Sequence, residues 1–186
     1  RRRRRPQPPP GGPPRRHDNR GLALAAGRTG DRDGPALPLF VFDDDVLAHG
    51  SPARVRFMLD TLAALREEYR AAGSDLLVRH GDPREVVPGV ADEFGAERVT
   101  WNRQYSGLAR DRDAAVRRAL DDVGVAREAV HDAVHHEPGS ITTNDGDPYS
   151  VFTYFGRKWH DREKEPPYPA PSGDDLVSAA DLPDAK

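Results

Sequence analysis

The sequence predicts a doubly wound, Rossmann-like α/β fold: a parallel sheet of four to five strands with flanking helices. Two observations lead there. Short continuous apolar runs such as LPLFVFD (residues 37–43) end in acids, as strands buried on both faces do. These runs alternate with single amphipathic helical stretches, which implies right-handed crossovers and a sheet covered on both sides.

From the start of the chain, residues 1–16 are low-complexity Arg, Pro and Gly and are expected to be a disordered leader. The stretch 27–34 (GRTGDRDG) lacks the Lys-Ser/Thr of a phosphate-binding loop and follows no strand, so it reads as a surface loop. Residues 37–43 form the first apolar run. Residues 51–73 read as a helix with Ser51 as N-cap, Pro52 in the first turn and Gly73 at the stop. Its apolar stripe is Val55, Met58, Leu59, Leu62, Leu65 and Tyr69. A strand is expected at 75–82, then a helix at 83–96 opened by Pro83 and open to kinking or shortening at Pro88. Residues 98–105 give a third strand running into a loop. The helix at 108–124 should face inward with Leu108, Ala115, Val116, Ala119, Leu120 and Val123, and a weaker strand follows at 125–130. After a long loop, 149–162 is an aromatic helix, and the Pro- and Asp-rich 163–186 reads as a linker or tail.

Composition narrows the function classes. No apolar run approaches the ~18 residues that span a bilayer, and Pro and Gly follow the arginines where a secretory signal would be apolar. With no cysteine there is no disulfide framework or thiolate metal site, which suits a cytoplasmic protein. The net charge of -3 is uneven: residues 1–20 hold eight arginines against one acid, leaving -10 for the rest. An acidic body argues against gripping nucleic acid by itself.

Ligands of such sheets sit beyond the carboxyl ends of the strands, here residues 42–45, 80–82 and 101–105. Trp101 and Asn102 leave a strand at that edge, where an indole and an amide can stack on and orient a heterocycle; alternatively Trp101 plugs the core and Asn102 caps a turn. Asp43, Asp44 and Asp45 end a strand and are expected to cap or be solvated rather than hold a cation. His131, His135 and His136 lie where a strand meets a loop, so no helix aligns them on a metal and solvated histidines are expected. No nucleophile elbow is present. Phe152, Tyr154, Phe155 and Trp159 crowd one short helix that should pack on this domain's own sheet or on a second domain.

RRHDNRGL (15–22), PLFVFD (38–43), the run from Ser51 to Pro88, WNRQYSGLARDRDAAVRRAL (101–120) and HEPGSITTNDGDPYSVFTYFGRKW (136–159) stand in order and with family-like spacing. Together, residues 16–165 resemble the N-terminal α/β domain of the DNA photolyase/cryptochrome family. The resemblance implies light-driven repair of pyrimidine dimers by a deoxyribodipyrimidine photolyase, a carbon–carbon lyase. In that family FAD and damaged DNA are held by a helical domain that follows this one, and the α/β domain carries an antenna chromophore, a folate or deazaflavin, in some members. The antenna candidates carried over are Asn102, Trp101 and His49. Acidic residues expected shortly after the asparagine are replaced by Gln104 and Ser106.

Two departures shape the expectation. The helical domain is absent from this sequence, and RRRRRPQPPPGGPP stands where the family has an apolar strand. The organisation expected is a leader at 1–16, a photolyase-like domain at 17–162 and a linker or tail at 163–186. The expected function is a truncated form without autonomous catalysis or bound FAD. It would partner a helical FAD domain if one is encoded separately, reach damaged DNA only through it, and involve no membrane or metal. A stand-alone α/β module holding a nucleotide-like ligand or regulating a partner is the alternative.

Overall fold

The computed structural model describes residues 15–27 and 34–183. Most of the Arg/Pro/Gly leader and residues 28–33 of the glycine-rich loop lie outside the described residues. Four strands form. β1 (Leu39–Phe42) pairs in parallel with β2 (Leu77–His80), Leu39 opposite Leu77 and Phe42 opposite His80. β3 (Arg98–Asn102) pairs in parallel with β4 (Ala126–Val130), Arg98 opposite Ala126 and Asn102 opposite Val130. The expected single sheet is therefore two half-sheets, because no described strand lies between β1 and β3 to join them.

Among the described residues there are six α-helices: α1 (Arg20–Ala25), α2 (Asp44–Ala48), α3 (Pro52–Ala71), α4 (Pro83–Glu93), α5 (Gly107–Asp122) and α6 (Phe152–Asp161). Their starts are chemically marked. Ser51, Asp82 and Ser106 each accept a backbone N–H from the first turn of α3, α4 and α5, satisfying donors the helix leaves bare. Gly73 follows α3 at φ +82°, a left-handed turn that a side chain would strain. α4 runs through Pro88 to Glu93, so the proline neither ends nor shortens it.

The stripe of α3 buries Leu62, Leu65 and Tyr69, each worth about 2 kcal/mol of apolar burial. Leu59, expected inside, is 44% exposed; Leu108 at the start of α5 and its C-cap Val123 are likewise exposed, while Ala109, Asp113, Val116 and Leu120 are buried. The buried strips of α3 and α5 are thus narrower than the apolar pattern suggested. Around α3 gathers a core of Tyr69, Leu76, Ala26, Ala36 and Leu176, with Phe40 and Phe42 edge-to-face at 5.1 Å. Burial pushes the Tyr69 phenol up to about 12. α4 packs on α5 over the second half-sheet.

The segment expected to be a linker or tail folds back through residue 183. Pro171 and Leu176 are buried, Leu176 bridges to Ala36, and Ala179 N–H bonds the Gly73 carbonyl at 3.0 Å.

Candidate functional site

The strand ends meet at a cluster of side-chain clamps. β3 hands off to Asn102, whose Oδ1 accepts the Gly21 N–H at 2.9 Å and whose Nδ2 donates to Asn19 Oδ1 at 2.9 Å. Asn19 in turn caps α1 by accepting the Leu22 N–H at 3.0 Å, and its Nδ2 bonds the Arg15 carbonyl at 2.8 Å. Asp18 sits at φ +50°, a conformation non-glycine residues rarely take, with its N–H on the Tyr168 carbonyl at 2.8 Å and its carboxylate accepting the Tyr168 N–H at 3.3 Å. Asp132, just past β4, accepts the Arg20 N–H at 3.1 Å and pairs with Arg15 at 3.2 Å. Residues 15–21 are thus a buckle that ties α1 to β3 through Asn19 and Gly21, to the loop after β4 through Arg15 and Arg20, and to the returning C-terminal segment through Asp18.

Sequence reasoning missed Asp132. Its only signal was an acid directly after a strand, at the edge where such sheets gather polar groups.

Between β1 and β3 opens a cavity of about 1430 Å³. All four residues of β1 and all five of β3 line it, with Met58, Val87, Val90 and Val116 from the helices. At its carboxyl end stand Asp43, Gln104, Arg112 and Asp113. Asp113 is buried and held by Arg112 at 3.0 Å and by the Trp101 indole N–H at 3.1 Å.

The three antenna candidates do not converge. Trp101 and Asn102 line the cavity, but the indole N–H is spent on Asp113 and the amide on Gly21 and Asn19. His49 does not line the cavity; its Nδ1 faces the Asp45 carbonyl at 2.6 Å. As arranged, these residues do not fit a polar grip on a chromophore.

The remaining candidates fall into structural roles. Asp43 caps α2, and Asp44 meets His80 Nε2 at 2.8 Å. His131 accepts or donates a short bond with the Tyr105 hydroxyl, and burial raises the Tyr105 phenol above its usual value. His135 and His136 stand edge-on to Trp159 at 5.8 and 5.7 Å, so they are packed against an aromatic ring rather than fully solvated. Among the described residues no group of three or more acidic or histidine side chains could hold a metal. No described helix is long and apolar enough to cross a membrane.

This fold and its buckle define a known class. The DNA photolyase family model matches residues 14–172, and the chain belongs to that family. It is 62% identical over 172 residues to a deoxyribodipyrimidine photo-lyase of Halobacterium salinarum, covering 90% of this chain and 36% of that protein. A Synechococcus deoxyribodipyrimidine photo-lyase is 36% identical over 157 residues, 83% of this chain and 32% of its own length. The chain therefore spans about a third of the curated relatives it matches. Among solved structures, a class III photolyase from Agrobacterium tumefaciens superimposes with TM-score 0.70 at 25% identity, over 90% of this chain and 33% of that one. A Synechocystis cryptochrome shares the fold at TM-score 0.74 and 19% identity, over 88% of this chain and 34% of its own. Members of the family use FAD with an antenna cofactor.

Proposed function

We propose that this chain is the α/β part of a light-dependent pyrimidine-dimer lyase and performs no repair alone. The observation that carries this reading is the 62% identity sustained over 172 residues of a photo-lyase three times as long. FAD, when bound in such a protein, supplies the electron that opens the dimer.

This chain's own residues serve as a platform. α6 has no fully buried side chain, Phe152 being 80% exposed and Tyr154 59%, so of the two surfaces the sequence left open to it the second domain is favoured over this domain's own sheet. The helix is anchored by Lys158 Nζ on the Thr142 carbonyl at 2.9 Å and by Lys164 over the Trp159 ring at 4.6 Å. Exposed aromatic side chains on an anchored helix suit docking to a second domain. The helical, FAD-holding domain is the partner this reading assigns, and damaged DNA is reached through it, since residues 21–186 carry a charge of -10.

The test replaces the aligned segment of the Halobacterium photo-lyase with this chain. The hybrid should purify yellow with FAD and clear cyclobutane dimers under blue light, while the 186-residue chain alone should do neither. A hybrid that holds FAD yet leaves dimers intact, or a solitary chain that binds FAD, overturns the reading.

A further inference from the structure

We infer that α3 carries a self-complementary stripe through which two copies of this chain form an antiparallel helix pair. Leu62, Leu65 and Tyr69 fix the face of α3 that enters the core. Beside that face run Arg54, Phe57, Thr61, Ala64 and Glu68. Their spacings of three, four, three and four residues hold them in one line along the helix. Phe57 is 39% exposed; Arg54, Ala64 and Glu68 are exposed, and Thr61 is half-buried.

Charge singles this stripe out. The other charged side chains of α3 are engaged: Arg56 with Asp60 at 3.0 Å, Glu67 with Arg70 at 2.9 Å, and Arg66 with Asp75 at 2.7 Å. Among the described residues, the Arg54 and Glu68 side chains have no ion-pair or hydrogen-bond partner. Both also stand at the wrong end of their own helix. Arg54 is in the first turn and Glu68 in the last, where the helix dipole opposes each. A second α3 running the other way reverses that, bringing a glutamate to the positive end and an arginine to the negative one.

The stripe reads alike in both directions about Thr61. Arg54 and Glu68 lie seven residues on either side of it, and Phe57 and Ala64 four and three. A two-fold axis through Thr61 therefore sets Arg54 against Glu68 and Phe57 against Ala64 of the second copy, twice over. Large meets small and plus meets minus. Parallel pairing would instead set arginine on arginine and glutamate on glutamate. Thr61 enters such a contact without a bare donor, since its Oγ1 already donates to the Phe57 carbonyl at 2.7 Å. Twenty residues of helix are about 30 Å long, so the pair covers on the order of 1,000 Å², the size of a weak, reversible interface.

The test is sedimentation equilibrium of the 186-residue chain carrying Phe152→Ser, so that the exposed aromatics of α6 do not contribute. The expected result is a monomer–dimer equilibrium with Kd on the order of 10 µM. Arg54→Glu and Glu68→Arg should each weaken self-association about tenfold, as two attractive contacts per dimer become repulsive. Both positions are exposed, so each variant should keep the parent's circular dichroism. An equimolar mixture of the two variants should restore the dimer, because every reversed charge then meets its opposite on the other copy. Phe57→Ser should remove the dimer, while Leu59→Ser, exposed but off the stripe, should leave it unchanged. A chain that stays monomeric up to about 200 µM overturns the proposal. So does a dimer indifferent to both charge reversals, or a mixture no more associated than its components.

Discussion

A Cβ added at Gly21 would sit 2.6 Å from Asn102 Oδ1 and 3.3 Å from its Cγ, closer than packed atoms allow. Glycine is required here for close approach, not for an unusual φ, because the backbone amide itself must reach the Asn102 carbonyl oxygen. Gly21→Ala should lower stability by about 2 kcal/mol in urea denaturation, and Asn102→Ala by a similar amount, since each leaves a partly buried polar group unpaired. The double variant should cost clearly less than the sum, because both changes break one contact; additive losses would show that the two residues act separately. A second residue-scale expectation concerns pH. The Arg66 guanidinium, bonded to Asp75 at 2.7 and 2.9 Å, holds that carboxyl below its usual range, helped by the Leu76 N–H. A carboxyl depressed on folding contributes stability above its unfolded value of about 3.9, and that stability is lost as pH falls through the folded value. The cost of Asp75→Asn should therefore be about 2 kcal/mol at pH 7 and fade below about pH 4. A gap between the two proteins that stays constant from pH 7 to pH 3 would remove the ion pair from the account.

At the scale of elements, β1 to β4 and α3 to α5 were legible because continuous apolar runs and capped amphipathic stretches are local signals. Ser51 and Gly73 mark the ends of α3 where the sequence placed them. α1 was not legible: six residues made of Arg20, two leucines, two alanines and Gly21 carry no stripe, and the helix exists because Asn19 caps it and Asn102 receives it. Leu59, Leu108 and Val123 carry the apolar period yet stand exposed, because burial depends on what lies opposite a helix and a local pattern does not contain that. Of the candidate site, Trp101 and Asn102 were found, but their bonds to Asp113, Gly21 and Asn19 link residues up to 83 positions apart and leave no trace in local pattern. α6 offers the test proper to an element. Because Phe152 is almost entirely in solvent, Phe152→Ser should change the isolated chain's stability by no more than about 0.5 kcal/mol while reducing its self-association. In the hybrid photo-lyase the same change should loosen the two parts, read as faster limited proteolysis between them. Marked destabilisation of the isolated chain would instead place Phe152 in its own core.

The whole molecule is two bodies of unequal support joined by a small hinge of contacts. One body is β1, β2 and α3, closed by the returning segment through Leu176; the other is β3 and β4 under α4 and α5. α1 belongs to both: Leu22, Ala25 and Ala26 pack into the first core, while Gly21 is fastened to Asn102 of β3. With no strand bonded between β1 and β3 among the described residues, coupling between the two pairs of strands runs through this helix and the surrounding buckle rather than through a continuous ladder. Native-state hydrogen exchange should then give two opening free energies, one shared by the β1–β2 amides and one by the β3–β4 amides, separated by more than about 1 kcal/mol. Asn102→Ala should widen that separation by lowering protection in β3 and β4 while leaving Leu77 and Val78 unchanged, because the α3 core does not depend on the Asn102 amide. One common opening energy in the chain, equally lowered everywhere by Asn102→Ala, would show that helix packing alone couples the halves and that the open edges carry no part of their independence.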